Sequence, residues 1–176
     1  LTVDDNRTVN TLLYSLSDLE RISDHSLNLR KSALEVRDKQ VVFSHQALED
    51  LNLVEWAVQD IVNLTVQAFA NQDNAAARQV EPLEQVIDEI VHQVRSRHVE
   101  RLQNGQCSIT NGFILADLLT CYERVADHCS NVAVAMIEVA HDSFDTHEYL
   151  QGVKADREGF DRMMDQYRKR YGLAQA

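Results

Sequence analysis

The chain has 176 residues, enough for one domain with a substantial core, and nothing in it forces a second. Only 5 Gly, 1 Pro and 6% aromatic residues argue against a sheet protein and for long helices. The formal net charge of −11 argues against a nucleic-acid partner, which needs a basic stripe, and favours cations as charged ligands.

The first helix can be capped by Thr2, with Asp5 three residues on. Apolar positions Val9, Leu12, Leu13, Leu16, Leu19, Leu27 and Leu34 keep a helical beat to about Asp38, and a break follows at 39–43. Ser44 is a good N-cap for the second helix, with Phe43 and Leu48 spaced as a hydrophobic staple. This helix is apolar around much of its circumference, which predicts a central position. The third runs from about Ala75 to Asn104-Gly105, with Pro82 marking a kink or its effective start. The fourth extends from 108–111 to about His141. The fifth is announced by Asp145 with Glu148 and closes at Tyr171-Gly172. Its packing face is Phe160, Met163, Met164 and Tyr167, and its charge places it on the outside. The expected fold is all-α, an up-down bundle of about five long helices.

No uncharged apolar run approaches the ~20 residues of a membrane helix, and no signal peptide opens the chain, so the chain as given is expected to be soluble. It lacks an initiator Met and enters helical sequence almost at once, as a fragment or processed chain would. Cys107, Cys121 and Cys129 are odd in number and lack metal-finger spacing. A reduced cytosolic compartment and burial as small apolar residues are the expectation.

One stretch occurs twice. Glu20-Arg21-Ile22-Ser23-Asp24-His25-Ser26-Leu27-Asn28 returns as Glu123-Arg124-Val125-Ala126-Asp127-His128-Cys129-Ser130-Asn131. Both read E-R-[IV]-[SA]-D-H-x-x-N, 103 residues apart, and imply pseudo-twofold symmetry. Residues four apart share a helix face, so Glu, Asp and Asn of each copy form one row. Upstream that row is apolar, with Leu12 and Leu16 before Glu20, and Leu115 and Leu119 before Glu123. The carboxylates therefore sit where the helix should pack, and they need compensation. The second repeat is complete over 44–142; the first is represented by 1–38 alone, with 145–172 as a C-terminal helix.

Glu84 and Asp88 on the third helix are again four apart. Antiparallel neighbours could set them against Glu123 and Asp127, as inward-facing acids hold metals in helical bundles. His128 or His92 could add nitrogen ligation and favour Fe, Mn or Zn. Asp161 and Asp165 repeat the spacing on the last helix. Arg21 and Arg124 point about 100° off the row and are expected to pair with neighbouring helices. His98 reads as an inter-helix contact.

The repeated E-R-x-x-D-H-x-x-N helix resembles the PhoU family, whose three-helix repeats carry an E(D)-x-x-x-D signature. Val80-Glu81-Pro82-Leu83-Glu84-Gln85-Val86-Ile87-Asp88, Arg97-His98-Val99-Glu100-Arg101-Leu102, Gly105-Gln106-Cys107 and 123–131 are similar to the PhoU-type cytoplasmic domain of bacterial sodium-dependent phosphate cotransporters. This resemblance implies a regulatory, non-enzymatic role in phosphate uptake. It also implies a membrane transporter portion in the same polypeptide and a location at the cytoplasmic face of the inner membrane. The family's signature acids can hold multinuclear clusters of Fe or other divalent metals. By position the implied ligands are Glu20, Asp24, Glu84, Asp88, Glu123 and Asp127, with His25, His128, Asp161 and Asp165 as additional candidates. The helix that should face Glu20 and Asp24 is absent; Asp161 and Asp165, or a neighbouring chain in a homodimer, could fill that place.

The alternatives are a free-standing, metal-free PhoU-type adaptor and a di-metal carboxylate oxidase. The oxidase would need two Glu-x-x-His pairs, and only Glu138-Val139-Ala140-His141 has that spacing without a partner. A phosphotransfer bundle centred on His147 has less support.

Overall fold

The computed structural model describes residues 2–140 and 157–173, apart from the side chains of residues 3, 4 and 7. It is all-α: α1 (Val3–Asp38), α2 (His45–Asn71), the one-turn α3 (Asn74–Ala77), α4 (Val80–Gln103), α5 (Ile109–Ala140) and α6 (Arg157–Arg170). Five of these are long helices, as the composition requires.

Local chemistry sets the boundaries. Thr2 and Asp5 form a reciprocal capping box at the start of α1, the Asp5 amide donating to Thr2 Oγ1 at 3.1 Å and the Thr2 amide to Asp5 Oδ2 at 2.8 Å. The Ser44 hydroxyl accepts from the Ala47 amide and opens α2. Pro82 is the third residue of α4, where its missing amide proton has no intrahelical partner to lose. It marks the start of that helix rather than a kink, and Asp73 caps the separate turn α3 before it. At the end of α4 the chain reverses through Gly105 at φ +66°, a left-handed conformation that favours glycine. The proposed cap at Asp145 with Glu148, together with His141 and His147, lies outside the described residues.

Helices α2, α4 and α5 pack on one another as a three-helix bundle. Val54, Ile61, Leu83, Ile87, Ile90, Leu115 and Leu119 close its interior. The centre is α5, which also carries α1 on its far side and touches α3. The expectation that α2 is central is corrected for that reason: α5 is the helix with neighbours all round. On the outside, α6 lies against α4. Phe160 and Met164 enter the core, and Tyr171 just beyond the helix does the same. Two acids clamp α6. Arg168 grips Glu89 through two hydrogen bonds at 2.9 and 2.5 Å, and the Tyr171 hydroxyl and Arg170 both reach Asp60 at 2.7 Å.

Helix α1 runs antiparallel along α5. Thr11 and Leu12 lie near Met136 and Val139, Asn131 donates to Asp18 at 3.0 Å, and Asn111 donates to the Val42 carbonyl at 3.0 Å. Midway, the rings of His25 and His128 stack with centroids 5.6 Å apart. These are equivalent positions of the two signature copies, so the pseudo-twofold axis passes between them.

The symmetry is broken in what covers each copy. Leu115 and Leu119 are 1% and 0% exposed against α2 and α4, whereas their counterparts Leu12 and Leu16 are 50% and 63% exposed. Burying one such side chain is worth roughly 1.5–3 kcal/mol, and α1 forgoes it along this face.

Candidate metal centre

The seam between α4 and α5 gathers the acids of the second repeat. Carboxylate oxygens of Glu84, Asp88 and Asp127 come within 4.8 Å of one another. One residue short of a turn before Glu84, Glu81 accepts a short hydrogen bond from the Ser130 hydroxyl and brings a fourth acid alongside. Glu123 lies on the same α5 row, and its Oε2 accepts from Arg95 Nη2 at 2.6 Å. Arg95 also reaches the Thr120 hydroxyl at 3.3 Å.

The electrostatics mark these acids as under-compensated. Burial, with the like charges of Asp88, Glu81, Asp127 and Glu123, pushes the Glu84 carboxyl up to about 8. The Asp88 carboxyl is also raised, first by burial and then by Glu123 and Asp127, while the Arg95 charge opposes the rise. Among the described residues no cation pairs with Glu84 or Asp88.

The donor set is all oxygen. Three convergent carboxylates suit a hard or borderline divalent cation such as Mn or Fe(II). His128 is not among these converging donors: its Nδ1 lies 2.8 Å from Asp18 on α1 and its ring stacks on His25. His25 is likewise at the α1–α5 interface, its Nδ1 buried without a hydrogen-bond partner. Burial and the nearby His128 lower its pKa.

The first copy is built differently. Glu20 and Asp24 are exposed on the same uncovered face of α1 as Leu12 and Leu16. Neither Asp161 nor Asp165 reaches them, since α6 packs on α4 and not on α1; Asp165 instead pairs with Arg168 at 3.1 Å. Contrary to the expectation from its angle, Arg124 is not paired with a neighbouring helix among the described residues. It pairs with Asp127 one turn along its own helix at 3.1 Å. His98 is an inter-helix contact: buried on α4, it lies where a Cβ on Gly112 of α5 would meet its Nε2 at 3.0 Å. Cys129 is buried, its thiol pushed up to about 12 by burial, and Cys107 and Cys121 are partly buried.

Three site residues escaped the sequence reading. Arg95 could have been found, since it lies seven residues, two turns, beyond Asp88 and so on the same face of α4. Glu81 had a similar signal three residues before Glu84. Asp18 had none, because its role depends on which residues of α5 come opposite.

In a family comparison, residues 51–136, from α2 through most of α5, match the PhoU domain. That stretch, just under half of the chain, is similar to the PhoU domain. Its relatives include the phosphate-specific transport system accessory protein PhoU homolog 1 of Thermotoga maritima, 28% identical over 155 residues, 88% of this chain and 66% of the relative. A PhoU homolog of the same description from Aquifex aeolicus is 26% identical over 147 residues, covering 84% and 65%. Another, from Streptococcus pneumoniae, is 24% identical over 135 residues, covering 77% and 61%. The chain thus spans less than two thirds of the length of each. No solved structure is a significant match.

These findings correct one expectation. A transporter portion in the same polypeptide was implied by resemblance, but the relatives of this chain are accessory proteins of a transport system. Among the described residues no helix is long and apolar enough to cross a membrane.

Proposed function

We propose that this chain is a regulatory PhoU-type accessory component of phosphate transport, acting on a transporter from the cytoplasm as a separate partner. The match of α2 through α5 to the PhoU domain carries this reading, and the accessory-protein descriptions of the relatives support it. Regulation rather than turnover fits the same descriptions.

The α4–α5 seam is the working part of the proposal. Glu84, Asp88 and Asp127 hold a divalent cation of the Mn or Fe(II) kind, which supplies the positive charge that the acids of the seam lack. Binding there ties α4 to α5 and so stiffens the bundle that would meet the transporter. The proton on Glu84 leaves when the cation enters.

Calorimetric titration of chelator-treated protein with Mn2+ tests the site. One equivalent is expected to bind, and the paired substitution Glu84→Gln and Asp127→Asn is expected to abolish it. Uptake unaffected by the pair would place the cation elsewhere. Capture of the partner is tested separately, by co-purification with phosphate-transporter components from a native membrane extract; their absence from the eluate would count against the accessory role.

A further inference from the structure

Five acids, Glu81, Glu84, Asp88, Glu123 and Asp127, share the α4–α5 seam, yet only three converge. Glu123 is one turn before Asp127 on the same face, and what draws it aside is Arg95, whose Nη2 donates to its Oε2 at 2.6 Å and to the Thr120 hydroxyl at 3.3 Å. Arg95 enters from α4, two turns beyond Asp88, so its guanidinium stands at the edge of the carboxylate group and supplies part of the missing charge. It is 42% exposed and Glu123 is 30% exposed. The long side chain can therefore withdraw into water at little cost. Arg124 touches Asp127 at 3.1 Å from a more exposed position, 60%, and is the looser of the two.

We propose that Arg95 is a tethered counter-ion of the seam, held on Glu123 until a divalent cation displaces it, and that it thereby sets the affinity of the site. The inference rests on the cation-binding reading of Glu84, Asp88 and Asp127. In the cation-free chain the Arg95–Glu123 pair links α4 to α5 beside the Glu81–Ser130 hydrogen bond. When the cation enters, Arg95 swings outward and Glu123 turns toward the carboxylate group, raising the oxygen ligands from three residues to four. One guanidinium leaves as two positive charges arrive. Arg95 is thus a positioning residue acting through Glu123, and it raises the cation concentration at which the site fills.

The test is calorimetric titration with Mn2+ alone at pH 8 and about 0.15 M ionic strength, with circular dichroism confirming that each variant is folded. Arg95→Gln removes both the competitor and its repulsion of the cation, and is expected to tighten the Kd about 3- to 10-fold. Arg95→Lys keeps the charge and should stay near the wild-type value. In a Glu123→Gln background, the gain from Arg95→Gln should shrink to about twofold, because the competition is lost and only repulsion remains. An Arg95→Gln chain that binds Mn2+ equally or more weakly overturns the inference, as does a gain of the same size in the Glu123→Gln background. Absence of binding in the wild type and in every variant overturns the cation site itself.

Discussion

Replacing Glu84 by Gln separates the electrostatic cost of the seam from its packing. Gln has nearly the same shape and no charge, so the substitution removes the ionisation and little else. The Glu84 carboxyl is raised from 4.5 to about 8. Folding therefore favours its protonated form, and stability owed to that form is fully present below about pH 4.5 and is lost as pH rises through 8. At 1.36 kcal/mol per pH unit, the gap sets an upper bound of about 5 kcal/mol; because the group is only half-buried, screening reduces it to on the order of 1–2 kcal/mol. For a chain of this size that is roughly 3–6 °C in Tm. Melting followed by circular dichroism in a chelator, from pH 5 to 8.5, should show the wild type losing that much more Tm than the Glu84→Gln variant. Asp88, raised in the same direction, and His25 and His98, lowered and so opposite in sign, stay in both chains and largely cancel in the difference. Adding Mn2+ at pH 8 should recover the wild type and leave the variant unmoved. Equal pH slopes for the two chains, or a wild type that gains on Glu84→Gln as pH rises, would refute the reasoning.

Three further outcomes follow from packing. Leu119→Ala, at a fully buried site between helices, should cost about 2–5 kcal/mol in urea unfolding, whereas Leu16→Ala at the symmetry-equivalent exposed site should stay within about 0.5 kcal/mol. An equal cost at both would mean that the α1 face is covered in solution. Asp50→Ala removes the acid that pairs with Arg97 at 2.7 Å and with the buried Arg101 at 2.8 Å. Leaving Arg101 uncompensated should lower stability by about 3 kcal/mol in guanidinium titration. Gly112→Ala should lose on the order of 1 kcal/mol in the same assay, because the new Cβ at 3.0 Å from His98 Nε2 outweighs the gain in helix propensity.

The sequence by itself determined the helices and where the charged rows lie. Helical spacing is local, as are the Thr2–Asp5 capping box, the Ser44 cap and the glycine that ends α4, so the limits of α1 and α2 and the end of α4 could be read from the sequence, whereas the separate turn α3 before α4 was read as part of one helix. The signature repeat was equally legible, and with it the pairs Glu84–Asp88 and Glu123–Asp127. Tertiary structure decided which rows meet and what compensates them. Glu20 and Glu123 have the same local sequence, yet one is exposed beside bare leucines while the other lies at a helix seam, since coverage depends on neighbours that a helix does not encode. For the same reason Asp18 is what meets His128 Nδ1, and Arg95 rather than Arg124 holds Glu123. A periodic pattern fixes the direction in which a side chain leaves its own helix. Its partner is fixed only by the register at which two helices pack.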